Sequence, residues 1–254
     1  FYGAVIACAD SPALLEIIPE IKRPVITYGL SGDADIRATN ICYNESQIVY
    51  TLWENQHENG TIKLNVPGEH NVVNSLAAIA LGIELGLKID TIAAGLEAYS
   101  GVRRRFEIKG ISNDIMVVDD YAHHPTEVTA TLQAAREGWD RRIVAVFQPH
   151  LFTRTQEFYK EFAVAFKDCD ILFVTDVYPA REKPISGVSG AMVSNEARKA
   201  GVEHVHYVPN LDDIVDYLDR VVQPGDMVIT IGAGTIWRYS DAYFNHLKTL
   251  EEAA

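Results

Sequence analysis

Hydrophobic and polar positions change their rhythm twice along the 254 residues of this chain. At the start, AVIAC (4–8) and PVITYG (24–29) are short apolar runs that read as buried strands. Between them SPALLEIIPEI (11–21) predicts a helix, with Ser11 as its cap and Pro12 at the first helical position. Three β-rich segments follow: ADIRATNICY (34–43), SQIVYTLWE (46–54) and GTIKLNVPG (60–68). They predict an antiparallel meander, with ENQHENG as the turn between the last two. After Pro67-Gly68 the period becomes helical, in EHNVVNSLAAIALGIELG (69–86) and again in IDTIAAGLEAYSG (89–101).

From residue 105 onward strands and helices alternate. Strands are predicted at RFEIKG (105–110), IMVVDD (115–120), RRIVAVFQ (141–148), DILFVTD (170–176), EHVHYV (203–208) and DMVITIG (226–232). Helices are predicted at PTEVTATLQAAREG (125–138), TQEFYKEFAVAF (155–166), GAMVSNEARKAG (190–201), LDDIVDYLDRV (211–221) and TIWRYSDAYFNHLKTLEE (235–252). Short apolar strands separated by helices imply a mostly parallel sheet covered on both faces. The change of rhythm places a domain boundary near Gly101–Val102, with no internal repeat and no low-complexity stretch.

Composition narrows the function classes. A formal charge of −13 argues against a nucleic-acid partner, which requires a basic face for phosphates. Cys8, Cys42 and Cys169 lie far apart without a CxxC pair, which fits buried thiols in a reducing, cytoplasmic setting. No apolar run approaches the ~20 residues needed to span a bilayer, so no membrane partner is expected. FYGAVIACAD has neither a leading Met nor a basic flank; it opens on a strand and reads as the start of a fragment.

In open α/β sheets ligands bind beyond the carboxyl ends of the strands. Four such ends carry chemistry: DDYAHHP after IMVV, QPHLFTRT after IVAVF, TDVYPAREKP after ILFV, and GAGTIW after MVITI. Strand alternation sends Asp119 and Asp120 to opposite faces, so one of them can serve a shared ligand. His124, Pro125 and Glu127 have the spacing of a capped helix start. Tyr121 and His123 share a phase and are candidates to face a substrate. A divalent metal held by Asp and His stays open, but no second cluster at ligand spacing supports it, and no metal residue is assigned. His150 and Arg154 stand where the chain turns into a helix, a place suited to a carboxylate. VRRRFE (102–107) could clamp phosphates or could be a solvated turn. GAGTIW lacks the third glycine of a dinucleotide fingerprint, and no GxxxxGK[ST] phosphate loop occurs.

GEHNVVNSLAAIA, GVRRRFE, VVDDYAHHPTEV, FQPHLFTRT and GAGTIW, in this order and spacing, resemble the Mur ligases of peptidoglycan synthesis. The resemblance covers the whole chain, and the DDYAHHPTE and FQPH…TRT pair resembles the branch that adds L-alanine to UDP-N-acetylmuramate. It implies a Rossmann-like C-terminal ligase domain (102–254), preceded by the latter part of an α/β central ATPase domain with a β meander (1–101). The first domain and the phosphate loop would lie before Phe1, and this chain alone would be inactive. The implied substrates are ATP, UDP-N-acetylmuramate and L-alanine, joined through an acyl phosphate. Mg2+ is implied as cofactor, with its ligands mainly upstream.

Residue by residue, the resemblance implies that His70, Asn71 and Asn74 contact the adenine, and that Arg105, with Arg104 second, reaches the phosphates. Asp120 would lie near the ribose. Tyr121, His123, His150 and Arg154 would surround the incoming amino acid, with His123 and His150 as catalytic candidates. Some members carry an arginine directly after the FQPH histidine; Leu151 stands there, which shifts carboxylate capture onto Arg154. A ligase that recycles a tripeptide onto the same sugar nucleotide, and a non-catalytic nucleotide-binding module, are the alternative readings.

Overall fold

The computed structural model describes residues 3–253 and divides into two compact units, 1–101 and 102–254. In the first unit a five-stranded sheet has the order β1-β2-β3-β4-β5. Its strands are β1 (Val5–Cys8), β2 (Val25–Gly29), β3 (Ile36–Asn44), β4 (Gln47–Glu54) and β5 (His57–Leu64). The first three are mutually parallel, and β3, β4 and β5 form the expected antiparallel meander. Helix α1 (Pro12–Ile17) stops a turn early and continues as a 3-10 turn over Ile18–Glu20, because Pro19 interrupts the α-helical ladder. Ser11 occupies the cap position but makes no side-chain cap bond, contrary to expectation.

The turn between β4 and β5 is shorter than the sequence suggests. Asn55 and Gln56 both take positive φ (44° and 71°), the geometry of a two-residue hairpin, so His57, Glu58 and Asn59 already belong to β5. Helices α2 (Glu69–Glu84) and α3 (Ile89–Ala98) cover this sheet. Ile48, Tyr50 and Leu52 alternate inward along β4 and meet Val72, Leu76 and Ile79 of α2. The buried Tyr50 hydroxyl pairs with Ser75 Oγ at 2.6 Å, and burial pushes the phenol up to about 12.

The second unit is a six-stranded sheet of order β10-β9-β8-β11-β7-β6. It comprises β6 (Glu107–Ser112), β7 (Ile115–Asp120), β8 (Arg142–Phe147), β9 (Ile171–Thr175), β10 (His204–Val208) and β11 (Asp226–Ile231). Only the edge pair β6–β7 is antiparallel. Helices α4 (Pro125–Gly138), α5 (Phe152–Ala165) and α6 (Gly190–Lys199) pack on one face with Met116, Val118, Phe147 and Ile229. The other face, with Val117, Val146 and Val228, is covered by α7 (Ile214–Asp219) and α8 (Trp237–Glu252). Phe147 touches Phe162 and Phe166, ring centroids 4.9 and 5.1 Å apart, and truncating a ring in such a place costs about 3–5 kcal/mol. The mixed α/β class and the mostly parallel second sheet agree with the sequence pattern. Among the described residues no helix is long and apolar enough to cross a membrane.

β11 returns late in the chain and inserts between β8 and β7. The helices that follow β7 and β8 lie on one face of the sheet and the helix that follows β11 on the other, so the loops after these strands open a crevice where connections diverge.

Candidate functional site

The rim of the second unit is built from the loops that follow β7, β8, β9 and β11. Backbone bonds tie each loop to the next. Gly232 N donates to Asp120 O (3.0 Å), Gln148 N to Ile231 O (2.9 Å), and Tyr178 N to Pro149 O (2.8 Å). Gly232 and Gly234 of GAGTIW are needed for close packing: a Cβ on Gly234 would meet Gln148 Oε1 at 2.4 Å and the Tyr178 ring at 2.6 Å. Gln148 is buried and accepts from Ile236 N at 3.1 Å, which fixes the end of the loop after β11, where α8 begins.

The loop after β7 is internally satisfied. Asp119 accepts from Thr230 Oγ1 (2.7 Å) and from Arg104 Nε (3.1 Å). Asp120 accepts from the backbone N–H of Phe106 and of Ala122, each at 2.7 Å. Burial pushes both carboxyls above the usual carboxylate range; Thr230 and Arg104 pull Asp119 back, as do the two N–H groups for Asp120. Glu127 accepts from the backbone N–H of His123 (2.9 Å) and of His124 (3.2 Å), and His124 Nδ1 accepts from Thr126 N (3.4 Å). These bonds form the capping box anticipated from the sequence, with Pro125 at the first position of α4. His123 Nδ1 lies 2.9 Å from Tyr121 O and 3.3 Å from Glu127 Oε2. A proton on Nδ1 satisfies both and leaves Nε2 as the basic nitrogen.

The arginines divide. Arg104 is half-buried, donates to Gly232 O at 2.6 Å as well as to Asp119, and lies over the Tyr121 ring at 4.8 Å. Arg105 is exposed, with its guanidinium 6.0 Å from the same ring. Of the two, Arg104 is engaged in holding the rim together.

The loop after β8 is the opposite of its neighbour. His150 stacks on Tyr178 (5.6 Å, 18°) and meets His123 edge-on at 6.0 Å. Its Nδ1 and Arg154 Nη1 are buried and have no hydrogen-bond partner among the described residues. Burial, and then the positive charge of Arg154, hold His150 below the usual histidine value, so it is neutral near pH 7. Leu151 has φ of 72°, a left-handed conformation that strains a leucine, as occurs at ligand sites. Helix α5 begins at Phe152, three residues earlier than expected, so Arg154 lies inside its first turn and not ahead of it. The helix N-terminus expected to suit a carboxylate already holds one. Thr153 N (3.0 Å) and Thr153 Oγ1 (2.5 Å) both donate to Glu182, a carboxylate of the chain itself.

In the first unit, His70 and Asn74 are exposed on the opening turns of α2, and Asn71 Nδ2 donates to Pro67 O at 2.7 Å. Sequence reasoning missed Tyr178 and Glu182. Both lie in TDVYPAREKP, one of the four strand ends selected from the sequence, to whose individual residues no role was given. Among the described residues no group of three or more His, Cys, Asp or Glu is placed to hold a metal ion.

Residues 104–234 match the Mur ligase, glutamate ligase domain, and residues 2–82 match the Mur ligase middle domain. The chain belongs to the Mur ligase family. The UDP-N-acetylmuramate–L-alanine ligase of Trichlorobacter lovleyi is 46% identical over 97% of this chain and 54% of its own length. That of Salinibacter ruber is 47% identical over 98% of this chain and 52% of its own length. The solved UDP-N-acetylmuramate-alanine ligase of Thermotoga maritima has 29% identity and a TM-score of 0.76, covering 88% of this chain and 48% of that one. A murein peptide ligase of Psychrobacter arcticus has 26% identity and a TM-score of 0.66, covering 97% of this chain and 51% of that one. The chain thus spans about half the length of these Mur ligases.

Proposed function

We propose that this chain is the nucleotide-closing and acceptor half of an ATP-dependent ligase that joins L-alanine to the carboxylate of UDP-N-acetylmuramate in peptidoglycan synthesis. Residues 1–101 are then the latter part of the central ATP-binding domain and 102–254 the C-terminal ligase domain, working in the cytoplasm. The observation that carries the reading is the pair of unpartnered buried groups, His150 Nδ1 and Arg154 Nη1, at the carboxyl end of a central strand. A buried guanidinium N–H without an acceptor is costly, and a carboxylate supplies the acceptor. Names of relatives at 41–47% identity support L-alanine as the owner of that carboxylate.

On this reading ATP converts the muramoyl carboxylate to an acyl phosphate, and the amine of L-alanine displaces the phosphate. The amine attacks only when it has lost its proton. His123, with Nδ1 tied to Tyr121 O and Glu127, offers Nε2 as the acceptor for that proton. Neutral His150 and Arg154 hold the amino acid by its carboxylate, and Tyr121 lines the same rim. Exposed Arg105 reaches the transferring phosphate, with Arg104 bracing Tyr121 behind it. His70, Asn71 and Asn74 on α2, and Asp120 through its remaining lone pairs, are the proposed nucleotide contacts. Mg2+ accompanies ATP on this reading, and the described residues include no cluster of three or more His, Cys, Asp or Glu to hold it.

The experiment is to express the longer protein that contains this chain and assay ATP-dependent amide formation on UDP-N-acetylmuramate. L-alanine is expected to be used; exclusive use of the murein tripeptide would replace this reading with the recycling ligase. Absence of any amide product together with nucleotide binding would favour a non-catalytic module. The 254-residue chain by itself is expected to form no amide.

A further inference from the structure

The strap after β9, residues 176–189, is pinned at three points. Asp176 Oδ1 accepts from Gly190 N (3.2 Å) and Tyr207 Oη (3.0 Å), which anchors its base at the start of α6. Tyr178 bridges to His150 through the backbone: its N–H donates to Pro149 O, and its carbonyl accepts from Leu151 N at 3.0 Å. Its ring is wedged between the His150 imidazole and the backbone of Gly234. Further on, Glu182 reaches Thr153 N and Oγ1, in the first turn of α5.

Helix α5 has no cap of its own, since Leu151 at the cap position offers no side-chain acceptor. Its N-terminal partial positive charge and free N–H groups are met by Glu182, a carboxylate from twenty-nine residues away. Those hydrogen bonds hold the Glu182 carboxyl below its usual value, so it is charged throughout the neutral range. Glu182 therefore fills one anion position at Thr153, next in sequence to Arg154 and acting on the same His150, while Arg154 Nη1 remains unpartnered as the other. An acceptor with a single carboxylate finds one place to put it. A second carboxylate meets the fixed negative charge of Glu182.

We propose that Glu182 is a specificity-determining residue, which occupies the α5 N-terminus so that the ligase takes amino acids with uncharged side chains and rejects acidic ones. This rests on the acceptor site proposed above. Removing the Glu182 charge lifts the repulsion of a second carboxylate, and removing the side chain also vacates a helix N-terminus within one turn of Arg154, where an acidic side chain then fits as Glu182 did.

The test uses the full-length enzyme and compares wild type with Glu182→Gln and Glu182→Ala. L-alanine and L-aspartate are supplied as alternative acceptors, and KM for ATP is followed in parallel. Wild-type activity with L-alanine is measured first. Its absence defeats the acceptor-site reading itself, before any variant is made. Given that activity, the ratio of kcat/KM for L-aspartate over L-alanine is expected to rise about tenfold or more in Glu182→Ala, with KM for ATP unchanged within about twofold. Glu182→Gln keeps the shape and an accepting oxygen while losing the charge, so it is expected to move the ratio the same way. Adding formate to Glu182→Ala refills the vacated cap and is expected to return the ratio toward wild type. A ratio unchanged in both variants overturns the proposal. So does a ratio that rises but ignores formate, because that is the behaviour of a loosened loop. Should Glu182→Ala fail to fold, Glu182→Gln alone decides, by whether its acceptor ratio moves.

Discussion

Two adjacent loops of one sheet spend their polar atoms differently. After β7 the acids and the capping residues are partnered: Asp119 by Thr230 and Arg104, Asp120 by two backbone N–H groups, and Glu127 by the N–H groups of His123 and His124. After β8, three and seven residues past its last residue Phe147, His150 and Arg154 each keep a buried nitrogen without one. The first loop is scaffold, with Tyr121 and His123 as the edge to which the proposed function gives a chemical role. The second holds unpartnered nitrogens and a strained Leu151, and on the proposed reading free energy is recovered there when the acceptor amino acid binds. Density of titratable residues alone would have pointed to the wrong loop as the richer binding surface.

The largest expected effect separates the two loops by activity. In the full-length enzyme Arg154→Ala should lower kcat/KM for the amino acid by about 100-fold while leaving KM for ATP within about twofold. Steady-state kinetics with each substrate varied in turn provides the check, and equal losses for both ligands would remove Arg154 from its assigned place. The corresponding change in the satisfied loop should act on stability. Asp120→Ala strands the N–H groups of Phe106 and Ala122 in a buried place, and should cost about 2–4 kcal/mol in urea unfolding of this chain.

A smaller, pH-dependent difference follows from His150. Its folded-state value is lowered, so the unfolded chain binds its proton first as pH falls. The stability from neutral His150 is fully present above the ordinary histidine value and is lost as pH drops from there toward the lowered one. Urea midpoints at pH 7.5 and 5.5 should therefore fall more for wild type than for His150→Asn. The smallest effect is expected at Leu151. Leu151→Gly relieves a φ of 72° but adds chain entropy, and should change stability by under about 1 kcal/mol. Leu151→Val, branched at Cβ, should cost more than the glycine does, as thermal unfolding of the pair would register.

Most of the fold was legible because its signals are local. IMVVDD, RIVAVF, ILFVT and DMVITI are mostly apolar segments of the length a buried parallel strand requires, and each became one. The box at His124, Pro125 and Glu127 is also local, and it could be read from spacing alone. What escaped was held by distant partners or by unusual backbone. The β5 start was hidden by polar His57, Glu58 and Asn59 behind a left-handed two-residue turn. The α5 start was hidden because its cap is Glu182, which no local pattern around Leu151 announces. Tyr178 and Glu182 were missed for the same reason: each matters through a contact with the neighbouring strand's loop, and sequence order does not display that contact.

The contrast between the loops rests on which arginine still has a free donor. The direct measurement is a titration of L-alanine into the full-length enzyme loaded with UDP-N-acetylmuramate and a non-hydrolysable ATP analogue, following assigned arginine guanidinium resonances by NMR. The Arg154 signals should shift and saturate with L-alanine while those of Arg104, already bound to Asp119 and Gly232, stay in place. Saturable movement of Arg104 with Arg154 unmoved would contradict the account.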